Sequence, residues 1–588
     1  MTNKTDKGRN DRGKILSFSQ DHTFFAKLGD AKRAQNDPLS AVSRYNNALA
    51  MEPHDLDTRL AAAEVLTDMG RFSQSNRVVI PYMHEDEDFK REAFCLVGFN
   101  LFGLCEYEGA RNCFNRFFDM TDEVSERTDA ILDALDYIDS LGEDEPSLQD
   151  AAVRAFEKKS RDAQTALDKG DFESSAKLFK ELVKEKPDDQ ILLYELALSY
   201  LCMNKKRESE ICVDKLLAAD DNNWPAWSMK LLFARDRKNE LELKKICNKL
   251  EKCESNDPTE LFRINGSLLE AGCLELAQSF AERLVRVLPY DTLANHRLAV
   301  CFVRQKQYRK AAEIYGKLLK IDPKDPIAAY CRRECAEADK NADSTLYKEF
   351  NMPHYQLPIE RVIEMVKDVL DSRRITREEI VDRWKNDESF RSVIRWSFTL
   401  HEFNVGYSVL NLLRIIGDED AVLTIREVMS DIDAGRALVN EAMGALKRCE
   451  APEPYFAMLD GNLIEGRVNL VSYDELKVPK NYTDILKRFR DSASERYSAE
   501  IVSAGGAIFE RFIASMRGSF PAISVNQSIA MTAAVEYLAC DQCGATVSED
   551  VLDRYGVTQR RLMNAIDRIV SSVLADMAPK ADGEGEPE

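Results

Sequence analysis

The sequence predicts an all-α protein: an α-solenoid of antiparallel helix pairs, then a second helical region and a C-terminal helix-turn-helix. Three observations support this. Apolar residues recur every 34 residues through five consecutive units, prolines follow the ends of the units, and the rest of the chain has apolar residues at helical spacing. A chain of 588 residues is also too long for one hydrophobic core, which favours several domains or an extended stack.

The phase of the repeat and shifts in composition divide the chain into seven segments. We expect a disordered N-terminus at 1–20, N-terminal repeats at 21–142, a second repeat block at 143–340, a linker at 341–358, a helical region at 359–525, a helix-turn-helix-like module at 526–577 and an acidic disordered tail at 578–588. The linker is polar and contains prolines, which disfavour a continuous helix. The repeat loses its phase at 139–146, which predicts a bend or an irregular helix pair there.

Two neighbouring units carry the repeat most clearly. The positions of the first are Leu261, Ile264, Asn265, Leu268, Gly272, Ala277, Ala281, Leu284 and Pro289, and those of the next are Asn295, Leu298, Ala299, Phe302, Lys306, Ala311, Tyr315, Leu318 and Pro323. Small residues suit the points where paired helices approach closely, aromatic residues fill wider gaps, and a proline cannot continue a helix.

This pattern resembles the tetratricopeptide repeat, and the resemblance covers about residues 22–340 in two blocks. The first unit of the N-terminal block matches it at Phe25, Leu28, Gly29, Ala41, Tyr45, Ala48 and Pro53. The resemblance implies a right-handed superhelix whose concave face, formed by the first helix of each pair, holds a peptide or a partner helix. The groove positions map onto Tyr194, Leu198, Arg235, Phe262, His296, Val300 and Arg304. The alternative for each residue is that it packs between repeats.

The second half of the chain also reads as helical. Helices are predicted at 359–370, 418–429, 437–446 and 485–516. Thr376 followed by Glu379 predicts a capping box that begins another helix. The pair at 418–446 is loosely similar to HEAT-type repeats. Prolines and glycines within 451–483 predict a loop.

A run of small residues, turn residues and polar residues occupies 528–574. Gly544 is expected to end one helix, Ser548 to begin a second, and a tight turn at 555–557 to lead into a third. A helix, a glycine-containing turn and a helix are the signature of a helix-turn-helix. The run resembles the end of a cyclin-like fold, as in basal transcription factors. That resemblance implies that the last helix enters a DNA groove, with Thr558, Gln559, Arg560, Arg561 and Asn564 at base edges or phosphates.

The negative net charge argues against DNA binding. Lys and Arg total 81 against 102 Asp and Glu, so the formal net charge is -21 and the chain as a whole repels phosphate. Over 526–575 the acidic residues, Glu536 among them, outnumber the arginines, and the last helix alone is mildly basic. The alternative for this module is an end cap or a protein-docking surface.

Motifs that carry chemistry are not recognisable in the sequence. It contains no phosphate-binding loop, dinucleotide fingerprint or nucleophile elbow. Cys540 and Cys543 have the spacing of half a zinc site, but the six histidines are scattered, so both cysteines are interpreted as packing residues. We therefore expect a non-enzyme without a metal or a cofactor.

The compartment and the function follow from these observations. The 14 cysteines lie mostly among apolar helical residues, the N-terminus lacks the apolar run of a signal peptide, and no apolar run approaches ~18 residues, which together predict a cytoplasmic protein that does not enter a membrane. The leading hypothesis is a non-catalytic scaffold or adaptor that binds a protein or peptide in its groove. The alternative is a transcriptional regulator that binds DNA through its C-terminal module.

Overall fold

The structure is a computed structural model that describes residues 21–121, 126–141, 156, 159–167, 170–350, 354–371, 376–468, 478–516, 519–543, 545–547 and 550–577. These residues are mostly helical, as predicted, and include a two-stranded antiparallel sheet. The predicted disordered ends, most of the predicted phase break, Gly544 and Ser548 lie outside them. Of the described helices, none combines the length and the hydropathy that crossing a bilayer requires.

Antiparallel helix pairs form the N-terminal block. Its helices are α1 (His22–Ala34), α2 (Pro38–Met51), α3 (Leu56–Asp68), α4 (Phe72–Val79), α5 (Glu87–Gly103), α6 (Tyr107–Phe118) and α7 (Glu126–Ser140). A Cβ on Gly29 would overlap the ring of Tyr45, and the same holds for Gly98 and Phe114. In both cases the aromatic residue follows the glycine by 16 positions. The glycines therefore allow the two helices of a pair to approach closely.

The second block continues the same pattern. Its helices are α8 (Phe172–Glu185), α9 (Gln190–Cys202), α10 (Lys206–Ala219), α11 (Trp224–Asp236), α12 (Glu240–Leu250), α13 (Pro258–Ala271), α14 (Leu274–Val287), α15 (Thr292–Arg304), α16 (Tyr308–Ile321) and α17 (Pro326–Lys340). Ala277, Ala299 and Ala311 are fully buried, as expected of the crowded positions. Pro289 and Pro323 each follow the end of a second helix, which confirms their predicted role.

The predicted linker and the helical region follow. Their helices are α18 (Leu346–Glu349), α19 (Ile359–Asp371), α20 (Arg377–Asn386), α21 (Glu388–Ser397), α22 (Phe403–Ile416), α23 (Glu419–Met429) and α24 (Arg436–Arg448). The capping box at Thr376 and Glu379 is present at the beginning of α20, as predicted.

The prediction of a loop at 451–483 is wrong for the first half of that segment. Residues there form a β-hairpin of β1 (Tyr455–Leu459) and β2 (Asn462–Gly466). Its turn is Asp460-Gly461, and both residues have positive φ angles, 49° and 72°. Asp-Gly between two short apolar runs is a strong signal for a two-residue hairpin turn, and it could have identified the hairpin from the sequence.

The C-terminal helices share one core. They are α25 (Lys480–Ala493), α26 (Ala499–Ser515), α27 (Val525–Gln542), α28 (Val551–Tyr555) and α29 (Gln559–Met577). Ala533 and Ala534 on α27 pack in the same cluster as Phe489 and Phe509. Helices α25 and α26 therefore pack in one core with α27 and α29. Gly556 has a φ of 60° between α28 and α29, where the sequence predicts a tight turn.

The N-terminal block folds back onto the rest of the chain. Helix α2 lies against α16, where Ile321 packs in one cluster with Ala41 and Tyr45. The side chain of Asn46 donates to the backbone carbonyl of Lys320 (3.1 Å). Since α2 and α16 are both second helices of their pairs, the two blocks meet on the sides opposite their concave faces.

Candidate peptide-binding groove

The first helices of the second block, α9, α11, α13, α15 and α17, supply the concave face implied by the repeat. Residues separated by multiples of 34 occupy equivalent positions on it. Tyr194, Phe262 and His296 share one such position, and Leu198 and Val300 share another. The structure shows that these equivalent positions have different surroundings at the two ends of the block.

The C-terminal end of the concave face is covered by the chain itself. The covering segment, which we call the connector, is residues 341–358, described except for 351–353. Leu346 and Phe350 in it are buried in the core of the second block, and Leu357 is buried in the core of the helical region. The Tyr355 hydroxyl donates to the Asp325 carboxylate (2.5 Å), and its ring meets that of His296 edge-on with centroids 5.3 Å apart. The sequence predicted a polar linker here and gave no indication that its apolar residues pack into the groove.

Three of the predicted groove residues are interior. His296 is 2% exposed and Val300 fully buried, and the imidazole Nδ1 of His296 lies 2.9 Å from the Tyr315 hydroxyl. Tyr194 is also buried, beneath the Arg263 guanidinium, which lies 4.2 Å from its ring centroid. In this conformation the three residues pack between repeats, the alternative left open by the sequence.

The other four predicted residues remain partly exposed. Leu198, Arg235, Phe262 and Arg304 are half-buried. Arg235 donates to the backbone carbonyl of Glu270 (2.9 Å), and Arg304 donates to that of Leu269. Both arginines therefore connect their own helix to α13 and help to hold neighbouring repeats in place.

Sequence reasoning missed two arginines that line the same face. Arg263 pairs with Glu195, and Arg297 donates to the backbone carbonyl of Phe262 and lies 5.1 Å from its ring centroid. Burial lowers the pKa of Arg297 to about 10. In the sequence these residues look like part of the solvated helix surface, and only the stacking of repeats places them over aromatic rings.

Sequence reasoning also missed an exposed apolar residue. Ile191 on α9 is 67% exposed and precedes Leu198 by seven residues, about two helical turns. Cys202, four residues beyond Leu198, is also exposed. These three residues form a stripe on one side of α9, which we call the α9 stripe. The i, i+7, i+11 spacing was the signal that could have identified it.

A further group of side chains could hold a metal ion. The ligand atoms of His401, Asp431 and Asp433 all lie within 4.8 Å of one another, and one nitrogen with two carboxylates is a donor set that divalent transition metals accept. The hydrogen bond to Asp431 raises the pKa of His401. The sequence predicted no metal site because these residues lie on separate loops, which the fold brings together.

The C-terminal module places its predicted DNA-binding residues on the surface. Thr558, Gln559, Arg560, Arg561 and Asn564 are all exposed at the beginning of α29. Glu536, which counted as a negative charge of the module, is fully buried, and the guanidinium of Arg554 donates to it (2.9 Å). Of the two cysteines predicted to pack, Cys540 is fully buried and Cys543 half-buried.

Comparisons with known proteins bear on the repeats. Family models of the tetratricopeptide repeat match residues 161–210 and 293–325. Among curated proteins, none matches this chain.

Several solved structures are similar to it. Yeast Tom70 is 15% identical over 74% of this chain and 89% of its own, with a TM-score of 0.24. The Cut9–Hcn1 hetero-tetramer of APC/C is 12% identical over 74% of this chain and 91% of its own (TM-score 0.21), and the TPR2AB domain of yeast Sti1, in a complex with pHSP90, is 13% identical over 55% and 98% (TM-score 0.19). The two family-model matches, together with the recurring helix pairs, identify tetratricopeptide repeats in this chain.

Proposed function

We propose that the chain is a non-catalytic scaffold whose second repeat block binds a peptide or helix of another protein along the open part of its concave face. The observation that carries this proposal is the α9 stripe. Ile191 and Leu198 leave apolar surface uncovered on a first helix, and Phe262, two repeats further along the same face, is half-buried. Exposed apolar residues that share one face of a helix are typical of a surface that binds another protein.

The connector supports the proposal from the other end of the block. It is a stretch of non-repeat chain that the concave face accommodates through buried apolar and aromatic side chains, such as Leu346 and Phe350. Toward α9 the concave face also carries apolar side chains, of which Ile191 is 67% exposed. Tetratricopeptide repeats are typically protein-interaction modules, and stacked repeats generate extended concave surfaces.

A displayed peptide library, selected on the full-length chain, tests the proposal. Selected peptides are synthesised with a fluorophore, and their affinity is measured by anisotropy. Replacing both apolar residues of the stripe, Ile191→Ala with Leu198→Ala, is expected to weaken binding at least about tenfold, since truncating central apolar anchors removes over ~1 kcal/mol.

The matched control makes the same two substitutions on second helices. Ile211→Ala with Leu241→Ala changes residues that are 57% and 78% exposed on α10 and α12, and it should leave affinity within about twofold. Two outcomes would contradict groove binding. One is an equal loss of affinity in the two double variants, and the other is that both variants bind the peptides as tightly as the parent does. Circular dichroism of both variants checks that helicity is kept.

We propose DNA binding by the C-terminal module as a second candidate, on a different observation. All five predicted contact residues are exposed on one short stretch of α29, and the burial of Glu536 with Arg554 removes both charges from the surface. Because this pair removes one charge of each sign, the net charge of the module does not change, and the candidate rests on the exposure of Arg560 and Arg561.

Anisotropy of a labelled DNA duplex with the full chain, at about 50 and about 200 mM salt, tests this second candidate. Arg560→Ala with Arg561→Ala should abolish salt-sensitive binding. The control, Arg490→Ala with Arg511→Ala, removes two exposed arginines from α25 and α26 and should retain it. If the chain does not bind the duplex at the lower salt concentration, DNA is excluded as a ligand.

A further inference from the structure

Two thiols from neighbouring repeats lie next to each other on the second block. Cys247 is on α12, Cys273 immediately precedes α14, and their Sγ atoms are 3.5 Å apart. Both side chains are half-buried, so solvent reaches them. We propose that Cys247 and Cys273 are an oxidation site that reacts with a hydroperoxide and closes to an intramolecular disulfide.

The other cysteines provide the contrast. Cys95, Cys113 and Cys301 are buried, and burial raises the pKa of each thiol to about 12. Cys331 and Cys335 are one helical turn apart but are both buried in the core of the block. A thiol that stays protonated and inaccessible is inert toward oxidants. The pair at 247 and 273 differs because it combines solvent exposure with a second sulfur 3.5 Å away.

The contact between the two sulfurs also prepares one of them for reaction. The Cys247 thiol donates its hydrogen to the Sγ of Cys273. This hydrogen bond stabilises a thiolate on Cys273 and lowers its pKa to about 7, while it raises the pKa of Cys247. At neutral pH Cys273 is thus the nucleophile, and Cys247 is the thiol that resolves its oxidised form.

The reaction balances with a hydroperoxide, ROOH, as the only added reactant. The Cys273 thiolate attacks the terminal oxygen, an S–O bond forms, the O–O bond breaks, and the alkoxide takes a proton from water and leaves as ROH. The sulfur of Cys247 then attacks the sulfenic sulfur, an S–S bond forms, the S–O bond breaks, and the departing hydroxide takes the Cys247 proton and leaves as water. Two thiols are oxidised and one peroxide bond is reduced. The sulfurs must approach from 3.5 Å to about 2 Å.

The disulfide would link the second helices of two successive repeats. The loop it closes contains α13, which carries Phe262 and accepts the hydrogen bond from Arg235 through Glu270. Oxidation would therefore restrain the angle between these repeats next to the open part of the concave face. This chemistry goes beyond groove binding and does not depend on it.

Peptide mapping of the reduced, native full-length chain after brief treatment with hydrogen peroxide tests the proposal. Remaining thiols are blocked with N-ethylmaleimide and the protein is digested with trypsin without reduction. Cys247 lies in peptide 246–249, Cys273 in 264–283 and the intervening Cys253 in 253–263, so every pairing has its own mass. The expected product is 246–249 linked to 264–283, which disappears on reduction. Recovery of both cysteines as maleimide adducts, or of Cys273 as a sulfonic acid beside free Cys247, would overturn the proposal.

Two variants complete the test. With Cys247→Ala, Cys273 should accumulate as a sulfenic acid that dimedone traps, and its alkylation should need a higher pH because the donated hydrogen bond is gone. Cys449→Ala removes a half-buried cysteine just after α24 whose thiol pKa burial raises, and it should leave the linked peptide unchanged. If Cys273 is alkylated with the same pH dependence in the parent and in Cys247→Ala, the interaction between the sulfurs is refuted.

Discussion

At the scale of single residues, a buried carboxylate organises the C-terminal module. Glu536 on α27 is fully buried and accepts hydrogen bonds from the hydroxyls of Tyr497 (2.8 Å) and Tyr555 (2.7 Å) and from the guanidinium of Arg554. Arg554 also donates to Asp550 (2.7 Å). A buried carboxylate is stable only when hydrogen-bond donors replace the water that it has lost. Because two of these donors are on Arg554 and Tyr555, the network fixes how α28 packs on α27.

Removing that charge should destabilise the module. Glu536→Gln leaves Arg554 without its buried counter-ion, and we expect the free energy of unfolding, measured with urea, to fall by about 3 kcal/mol. Asp553→Asn, an exposed neighbour on α28, should change it by less than about 0.5 kcal/mol. Pairing Glu536→Met with Arg554→Met should recover much of the loss. Equal stability of Glu536→Gln and the parent would show that the ion pair is dispensable.

At the scale of elements, the β-hairpin joins two parts of the chain by its two faces. Alternate residues of β1 point to opposite sides of a strand. Tyr455 and Ala457 pack into the core of the helical region, whereas Phe456 and Met458 pack into the core of the N-terminal block, where Phe456 meets the ring of Phe94. Because both faces are buried, β1 is apolar throughout and shows no alternation. For this reason periodicity did not reveal it as a strand.

At the scale of the whole molecule, polar contacts join three parts at one junction. Arg77 of the N-terminal block pairs with Asp322 (3.0 Å), just past the end of α16, and Lys324 pairs with Glu427 of α23 (2.9 Å). His54 bridges the block to the helical region, with Nδ1 3.0 Å from Glu85 and Nε2 2.8 Å from Glu419. Only the protonated imidazole can donate to both carboxylates.

The His54 bridge predicts a pH dependence. The hydrogen bond to Glu85, and after it that to Glu419, raises the pKa of His54. Because the pKa of His54 is higher in the folded state, protonated His54 stabilises the fold fully at pH values below its unfolded-state pKa near 6.5. This stabilisation is lost as the pH rises through the higher, folded-state pKa. His54→Gln should therefore lower the thermal unfolding midpoint more at about pH 6 than at about pH 8.5.

The effect should be small, because the His54 side chain is 46% exposed and that of Glu419 82%, so we expect a coupling of up to about 1 kcal/mol. Glu419→Gln should reproduce part of the pH dependence, and the double variant should lose less than the sum of the single losses. Additive losses, or a larger effect of His54→Gln at the higher pH, would contradict the bridge.

The sequence by itself determined the repeats, the prolines that follow their second helices and their close helix contacts. Ala277, Ala299 and the capping box at Thr376 could be predicted because they depend on neighbours within one or two helices, and helical spacing records such neighbours directly. Only the tertiary structure decided which groove residues are open. His296 meets Tyr355 of the connector, while Ile191, at the far end of the same face, is 67% exposed. The proximity of Cys247 to Cys273 and of His54 to Glu419 likewise depends on how repeats stack and how the N-terminal block folds back, and residues brought together in this way leave no periodic pattern in the chain.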